Sequence, residues 1–131
     1  MSESLFTIAK KYLNRAHSPY SKVKVACATL MNDGKIYGGC NIENASYGGT
    51  ICAERVAITK AVSEGAKSIK AILVLTNQKE IWPPCGICRQ VMAEFAKSKT
   101  LVFTTNLKGQ MITYNFSDLL PGAYTPDYLL K

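Results

Sequence analysis

A chain of 131 residues, 47% hydrophobic and 19% charged, has apolar side chains enough for one buried core and no apolar stretch of about 18 residues; this excludes a bilayer span and predicts a single domain over 1–131. Its sixteen Lys and Arg residues, which set the +7 formal charge, are scattered, with Lys10-Lys11 the longest basic run, so the clustered footprint of a polynucleotide site is missing while small anions stay compatible. Five cysteines, an odd number, behind an N-terminus with no basic lead or small-residue cleavage site, read as reduced thiols of a cytoplasmic protein rather than a disulfide framework.

In chain order, Leu5, Ile8, Ala9, Tyr12, Leu13 and Ala16 fall at helical spacing and predict an amphipathic helix over 4–16, capped by Ser2 or Ser4 and ended by Ser18 and Pro19. His17 then serves as a C-terminal cap or a surface residue. From Lys22 the period changes to two: KVKVACATLM, the turn NDGK and IYGGC predict a β-hairpin. ENASYGGT is a loop that leads into a helix over about 51–64, with Gly65 as its stop. AILVLT is the continuous apolar run of a buried strand. After the loop NQKEIWPP comes a cysteine-led helix in PCGICRQVMAEFAK, then the strands LVFTT and MITYNF around a turn at 106–109, then short helix and loop in SDLLPGAYTPDYLL. The order α-β-β-α-β-α-β-β-α, with no internal repeat, predicts an α/β chain built on one mixed sheet flanked by helices.

Cys85 and Cys88 form C-x-x-C, and Cys52 precedes them; both groups fall where a loop gives way to a predicted helix. Thiolates there meet the positive end of a helix dipole and free N–H groups, which lowers their pKa. Three thiolates brought to one point suit zinc, and three protein ligands with water in the fourth place is the catalytic arrangement. Glu54 lies two residues after Cys52, about 200° around a helix, so the two converge only off the helix tip, where first-turn side chains lean. There Glu54 can take and return the water's protons. Three thiolates leave zinc a formal −1, which weakens it as a Lewis acid. Arg55 and the two helix dipoles are the nearest offsets, although Arg55 also reads as an ordinary solvated arginine. Cys27 and Cys40 read as small buried hydrophobes, with Cys40 the extra thiol to test as a fourth ligand.

Cys52-Ala53-Glu54 followed by Pro84-Cys85-Gly86-Ile87-Cys88 is similar to the zinc deaminase signature in its three-cysteine form. Over nearly its whole length the chain resembles the cytidine deaminase family, through PYSKVKVACATL, GCNIENASYGGTICAERVAI, PPCGICRQVMAEF and LLPGAY in that order. The resemblance implies a three-layer α-β-α cytidine deaminase-like fold with a five-stranded mixed sheet and one zinc ion per subunit. It implies conversion of cytidine and deoxycytidine to uridine and deoxyuridine with release of ammonia, in pyrimidine salvage. It also implies a homotetramer with sites at subunit interfaces.

Carried over by position, the resemblance gives zinc to Cys52, Cys85 and Cys88 and proton transfer to Glu54. It gives the ribose hydroxyl to Asn41 and Glu43, a chemistry that suits an amide and a carboxylate; the plainer reading of Asn41 is a turn. Ala53 would offer backbone groups to the base, and Ala45, Tyr47 and Tyr124 would reach a neighbouring subunit's site. The chain departs from the family's PYSxFxVGAAL by placing Val23 at the usual Phe and Ala26 and Cys27 at the usual Gly and Ala, and Tyr124 stands where Phe is common. Val23 forgoes aromatic packing on the pyrimidine worth about 0.5–1.5 kcal/mol, so Val23 is expected to alter affinity or substrate range.

Two rival readings leave features idle. A redox site around WPPCGIC gives Cys52 and Glu54 no role, and a closed structural zinc module needs a fourth ligand, for which Cys40 is the candidate. Among deaminases, a nucleoside-like antibiotic such as blasticidin S is the alternative substrate, while a polynucleotide is disfavoured by the scattered charge.

Overall fold

In the computed structural model, which describes residues 1–130, both apolar phases of the central strands meet a layer of helices. The elements are α1 (Ser2–Leu13), β1 (Val25–Met31), β2 (Ile36–Cys40), α2 (Ala53–Ser63), β3 (Ile69–Thr76), α3 (Gly86–Phe95), β4 (Leu101–Asn106), β5 (Met111–Asn115) and α4 (Phe116–Leu119), with 3-10 turns at Tyr47–Gly49 and Pro126–Tyr128. The predicted order holds. The five strands lie in the order β2-β1-β3-β4-β5; β3 and β4 run parallel and every other pair antiparallel, so the sheet is mixed as expected.

Side chains alternate across a strand, so successive residues serve different layers. Ala26, Ala28, Leu73, Leu75 and Phe103 pack against Leu5, Ala9 and Leu13 of α1. Cys27, Met31, Ile72 and Val102 face the other way, onto Ala57, Ile58 and Ala61 of α2 and Met92 of α3. That is the expected three-layer arrangement. Leu5, Ile58, Ile72, Leu73 and Leu75 are fully buried, each contributing roughly 1.5–3 kcal/mol of hydrophobic free energy. Cys27 is a small hydrophobe in this core, and burial pushes its thiol well above the ordinary value.

The first helix differs from its prediction at both ends. Met1 is the N-cap and no side chain bonds there, so neither Ser2 nor Ser4 serves as the cap. At the other end the helix stops at Leu13 although Ala16 continues the apolar period. The reason is tertiary: the His17 N–H donates to the Asn41 carbonyl at 3.0 Å and the Glu43 N–H to the His17 carbonyl at 2.8 Å, which requires extended chain. His17 is therefore a bridge residue with an exposed side chain and caps no helix. Gly65 does stop α2, at φ +103°, where a side chain would be strained.

One close approach fixes how α2 lies on the sheet. A Cβ on Gly39 of β2 would stand 2.7 Å from the Ala57 nitrogen and 3.0 Å from the Ala53 oxygen, backbone atoms that cannot swing aside. Gly39→Ala is expected to lower stability by about 1–3 kcal/mol, read as a lower urea midpoint at unchanged slope, because all of α2 has to move. An unchanged midpoint would show that the helix packs more loosely than this contact requires.

Candidate functional site

The helices α2 and α3 touch, and both begin at the carboxyl end of β3, where α/β sheets leave room for ligands. Cys52 is the N-cap of α2 and Cys85 that of α3, each with extended backbone; Cys88 lies in the first turn of α3. Their sulfur atoms all lie within 4.8 Å of one another. The Cys52 and Cys85 Sγ atoms are 3.7 Å apart, too far for a disulfide. A tetrahedral zinc with Zn–S bonds of about 2.3 Å sets its sulfurs about 3.8 Å apart. The donor set therefore fits zinc in kind and spacing. Cys40 is not in this group, which removes the candidate fourth ligand of a closed structural site among the described residues; it is buried, and desolvation raises its pKa.

The electrostatics explain why the triad calls for a cation. The Cys52 thiol is pulled down to about 5, chiefly because the Cys88 S–H donates to it, with Arg55 and Cys85 assisting. Cys88 is pushed strongly up by that same bond and by burial. Without metal, one thiolate opposes ionisation of its neighbour, and a dication reverses that opposition. The Arg55 Nη2 lies 3.7 Å from the Cys52 Sγ and 3.4 Å from the Thr50 carbonyl, so its charge faces the sulfurs rather than solvent. Its Nε is buried with no hydrogen bond among the described residues.

Glu54, the second residue of α2, is only 3% exposed. Burial is the main cause that lifts its carboxyl to about 7, and the negative Cys52 adds to it. A group poised there gains and loses a proton near neutrality. Glu54, Ala53, Cys52 and Cys85 line a cleft of about 260 Å3, with Val23, Val25 and Val74 on its apolar side. That volume is slightly under the roughly 300–1,000 Å3 of pockets for drug-sized ligands and suits a smaller molecule. A larger cavity of about 530 Å3, lined by Phe116, Leu120 and Asp127 among others, contains none of the cysteines and no Glu54. Size alone does not locate the chemistry.

Asn41 and Glu43 also line the cleft, just past the end of β2. Asn41 occupies no turn: its Oδ1 accepts the Val25 N–H at 3.0 Å and its Nδ2 donates to the Val23 carbonyl at 2.9 Å, leaving one N–H without a partner among the described residues. Glu43 accepts the Tyr20 and Ser21 N–H groups and the Ser21 hydroxyl. The hydroxyl is the first cause that holds its carboxyl below the ordinary value, so it is an ionised acceptor at neutral pH. Ala45, Tyr47 and Tyr124 are exposed and lie outside the cleft; Tyr47 lies 6.3 Å from Tyr20 between ring centroids, and Tyr124 stacks on Tyr128 at 5.5 Å. Sequence reasoning left out Ser21, which orients Glu43, and Trp82, which lines the cleft. The one signal for Trp82 was a lone tryptophan three residues before a ligand cysteine.

Comparison with known proteins agrees with this geometry. Residues 1–105 match the model of the cytidine and deoxycytidylate deaminase zinc-binding region. The chain is 47% identical to a cytidine deaminase of Sporosarcina psychrophila over 127 residues, covering 97% of this chain and 93% of that protein. It is 51% identical to a cytidine deaminase of Halalkalibacterium halodurans over 112 residues, covering 86% of this chain and 85% of that one. Among solved structures, a cytidine deaminase from Burkholderia pseudomallei superposes with a TM-score of 0.89 at 41% identity, over 95% of this chain and 99% of its own.

Proposed function

The chain belongs to the cytidine deaminase family, and from that premise we propose that it hydrolyses cytidine and deoxycytidine to uridine and deoxyuridine, releasing ammonia, with zinc held by Cys52, Cys85 and Cys88. The observation that carries this reading is a buried Glu54 carboxyl, poised at about 7, beside three cysteine sulfurs that lie within 4.8 Å of one another. When bound, zinc supplies a Lewis acid that brings the pKa of a coordinated water toward about 7. Glu54 accepts the proton of the attacking water and gives it to the ring nitrogen beside C4, then takes the remaining proton of the C4 hydroxyl and delivers it to the departing amine, leaving a C4 carbonyl. The C4–O bond forms, the C4–N bond breaks, and one water is consumed for each ammonia released. Asn41 with its spare N–H and Glu43 as an ionised acceptor hold the sugar hydroxyl, and Ala53 offers backbone groups to the base. Arg55 offsets the negative charge of the thiolates.

The same reading makes this a cytoplasmic enzyme of pyrimidine salvage. It works as a homotetramer in which Ala45, Tyr47 and Tyr124 reach a neighbouring subunit's cleft. Support comes from the exposure of Tyr47, 79%, and Tyr124, 57%, at positions outside their own cleft. No helix among the described residues is long and apolar enough to cross a membrane.

The test follows the change in absorbance with cytidine, deoxycytidine, cytosine and blasticidin S, before and after zinc removal. Turnover of the two nucleosides that disappears with zinc and returns with it is the expected result. A zinc-replete protein that leaves both untouched refutes the proposal, and turnover of blasticidin S alone replaces its substrate.

A further inference from the structure

We propose that Trp82 supplies the aromatic face on which the pyrimidine ring packs, and so reads the base while Asn41 and Glu43 read the sugar; this rests on the deaminase reading above. A flat heteroaromatic ring gains most from a flat aromatic partner, because the two stack offset with their π-faces together. Among the described residues of the same chain that line the cleft, Trp82 is the only aromatic one. Val23, Val25 and Val74 offer it aliphatic contact alone.

The loop that carries Trp82 is stiff. Trp82 is followed by Pro83 and Pro84 and then by Cys85, so a fixed φ at two residues and an extended bias at Trp82 itself separate the indole from a zinc-ligand position by a short, rigid link. Arg89 holds that link from behind: its Nε donates to the Pro84 carbonyl at 2.7 Å and its Nη1 to the Leu119 carbonyl at 2.8 Å. The indole is nonetheless 43% exposed and makes no hydrogen bond among the described residues. Its backbone is restrained, while the indole lines the cleft and keeps surface for a ligand to cover. Ordering it on binding costs little entropy, which is what a preorganised contact requires.

Trp82 is the single tryptophan of the chain, so its fluorescence reports on the cleft without reference to turnover. Titrating the zinc-loaded protein with uridine, the reaction product, is expected to change the emission saturably, with a midpoint equal to uridine's inhibition constant against cytidine. Trp82→Ala is expected to raise KM about tenfold, equivalent to about 1.4 kcal/mol, with kcat within about threefold and zinc content unchanged. Trp82→Phe keeps an aromatic face and is expected to restore KM to within about threefold of the original. Uridine that inhibits while the emission stays still overturns the proposal. So does a Trp82→Ala enzyme with unchanged KM, or one whose kcat and zinc content fall together, since Trp82 would then act through Cys85. If cytidine is not turned over but the emission still follows uridine, the deamination reading fails and the base contact stands.

Discussion

Glu54→Gln is expected to lower kcat by about 10²–10⁴-fold while zinc content and uridine binding stay as they are, because the amide keeps the shape of the carboxyl and loses its ability to carry a proton. Full activity in a zinc-loaded Glu54→Gln protein would remove Glu54 from the mechanism. The same variant tests the buried carboxyl independently of turnover. In the zinc-free chain burial lifts the Glu54 carboxyl from its ordinary 4.5 to about 7, so between these values the folded state binds more protons than the unfolded one. For a carboxyl raised on folding, stability then falls as pH rises through that window. Glutamine has no such dependence. Zinc-free Glu54→Gln is therefore expected to gain on the original protein by up to about 3 kcal/mol from pH 4.5 to pH 7, measured as the difference of their urea midpoints, with Cys52 titrating in both. A difference that is flat with pH would mean that the carboxyl is solvated. Bound zinc is expected to shrink the difference, since a cation beside the carboxyl favours its ionised form.

Cys88→Ser is expected to strip the zinc. Apparent zinc affinities at cysteine-rich sites are about 10–16 kcal/mol, so one ligand in three or four accounts for roughly 3–5 kcal/mol, a loss of about 10²–10⁴ in affinity. Serine cannot make up this loss, since its hydroxyl does not ionise near neutrality. Metal content after dialysis falls from about one ion per chain to almost none, and deamination falls with it. Cys40→Ser is the matched control: its sulfur is not part of the triad, so metal content and kcat are expected to hold. Zinc lost from Cys40→Ser and kept by Cys88→Ser would reverse the two assignments and restore the closed structural site.

The sulfur triad and the buried carboxyl beside it were legible in one dimension because their chemistry is carried by residue type and short spacing. C-x-x-C at a helix start and Cys-x-Glu at another leave few geometries open, and the 3.7 Å between the Cys52 and Cys85 sulfurs is one of them. Arg55 was legible for a similar reason, being three residues from Cys52 on the first turn of the helix that Cys52 caps. Ser21 and Trp82 were not. Ser21 acts on Glu43 across 22 positions, and Trp82 reaches the cleft only because β3 and α3 place its loop beside the segment at Val23. Periodicity overran the end of α1 because it registers apolar Ala16 and has no access to the bonds that tie His17 to Asn41 and Glu43.

The amino-acid sequence by itself determined the order of elements, the two buried faces of the central strands and the zinc-binding residue types, since each follows from local period, turn chemistry or ligand softness. Only the tertiary structure decided that Cys40 lies outside the sulfur triad, that Asn41 is braced by Val23 and Val25, and that Trp82 lines the cleft with Glu54. Those outcomes depend on which distant segments the sheet places side by side. Strand pairing and helix docking set that neighbourhood through hydrogen bonds and packing between residues that no local pattern relates.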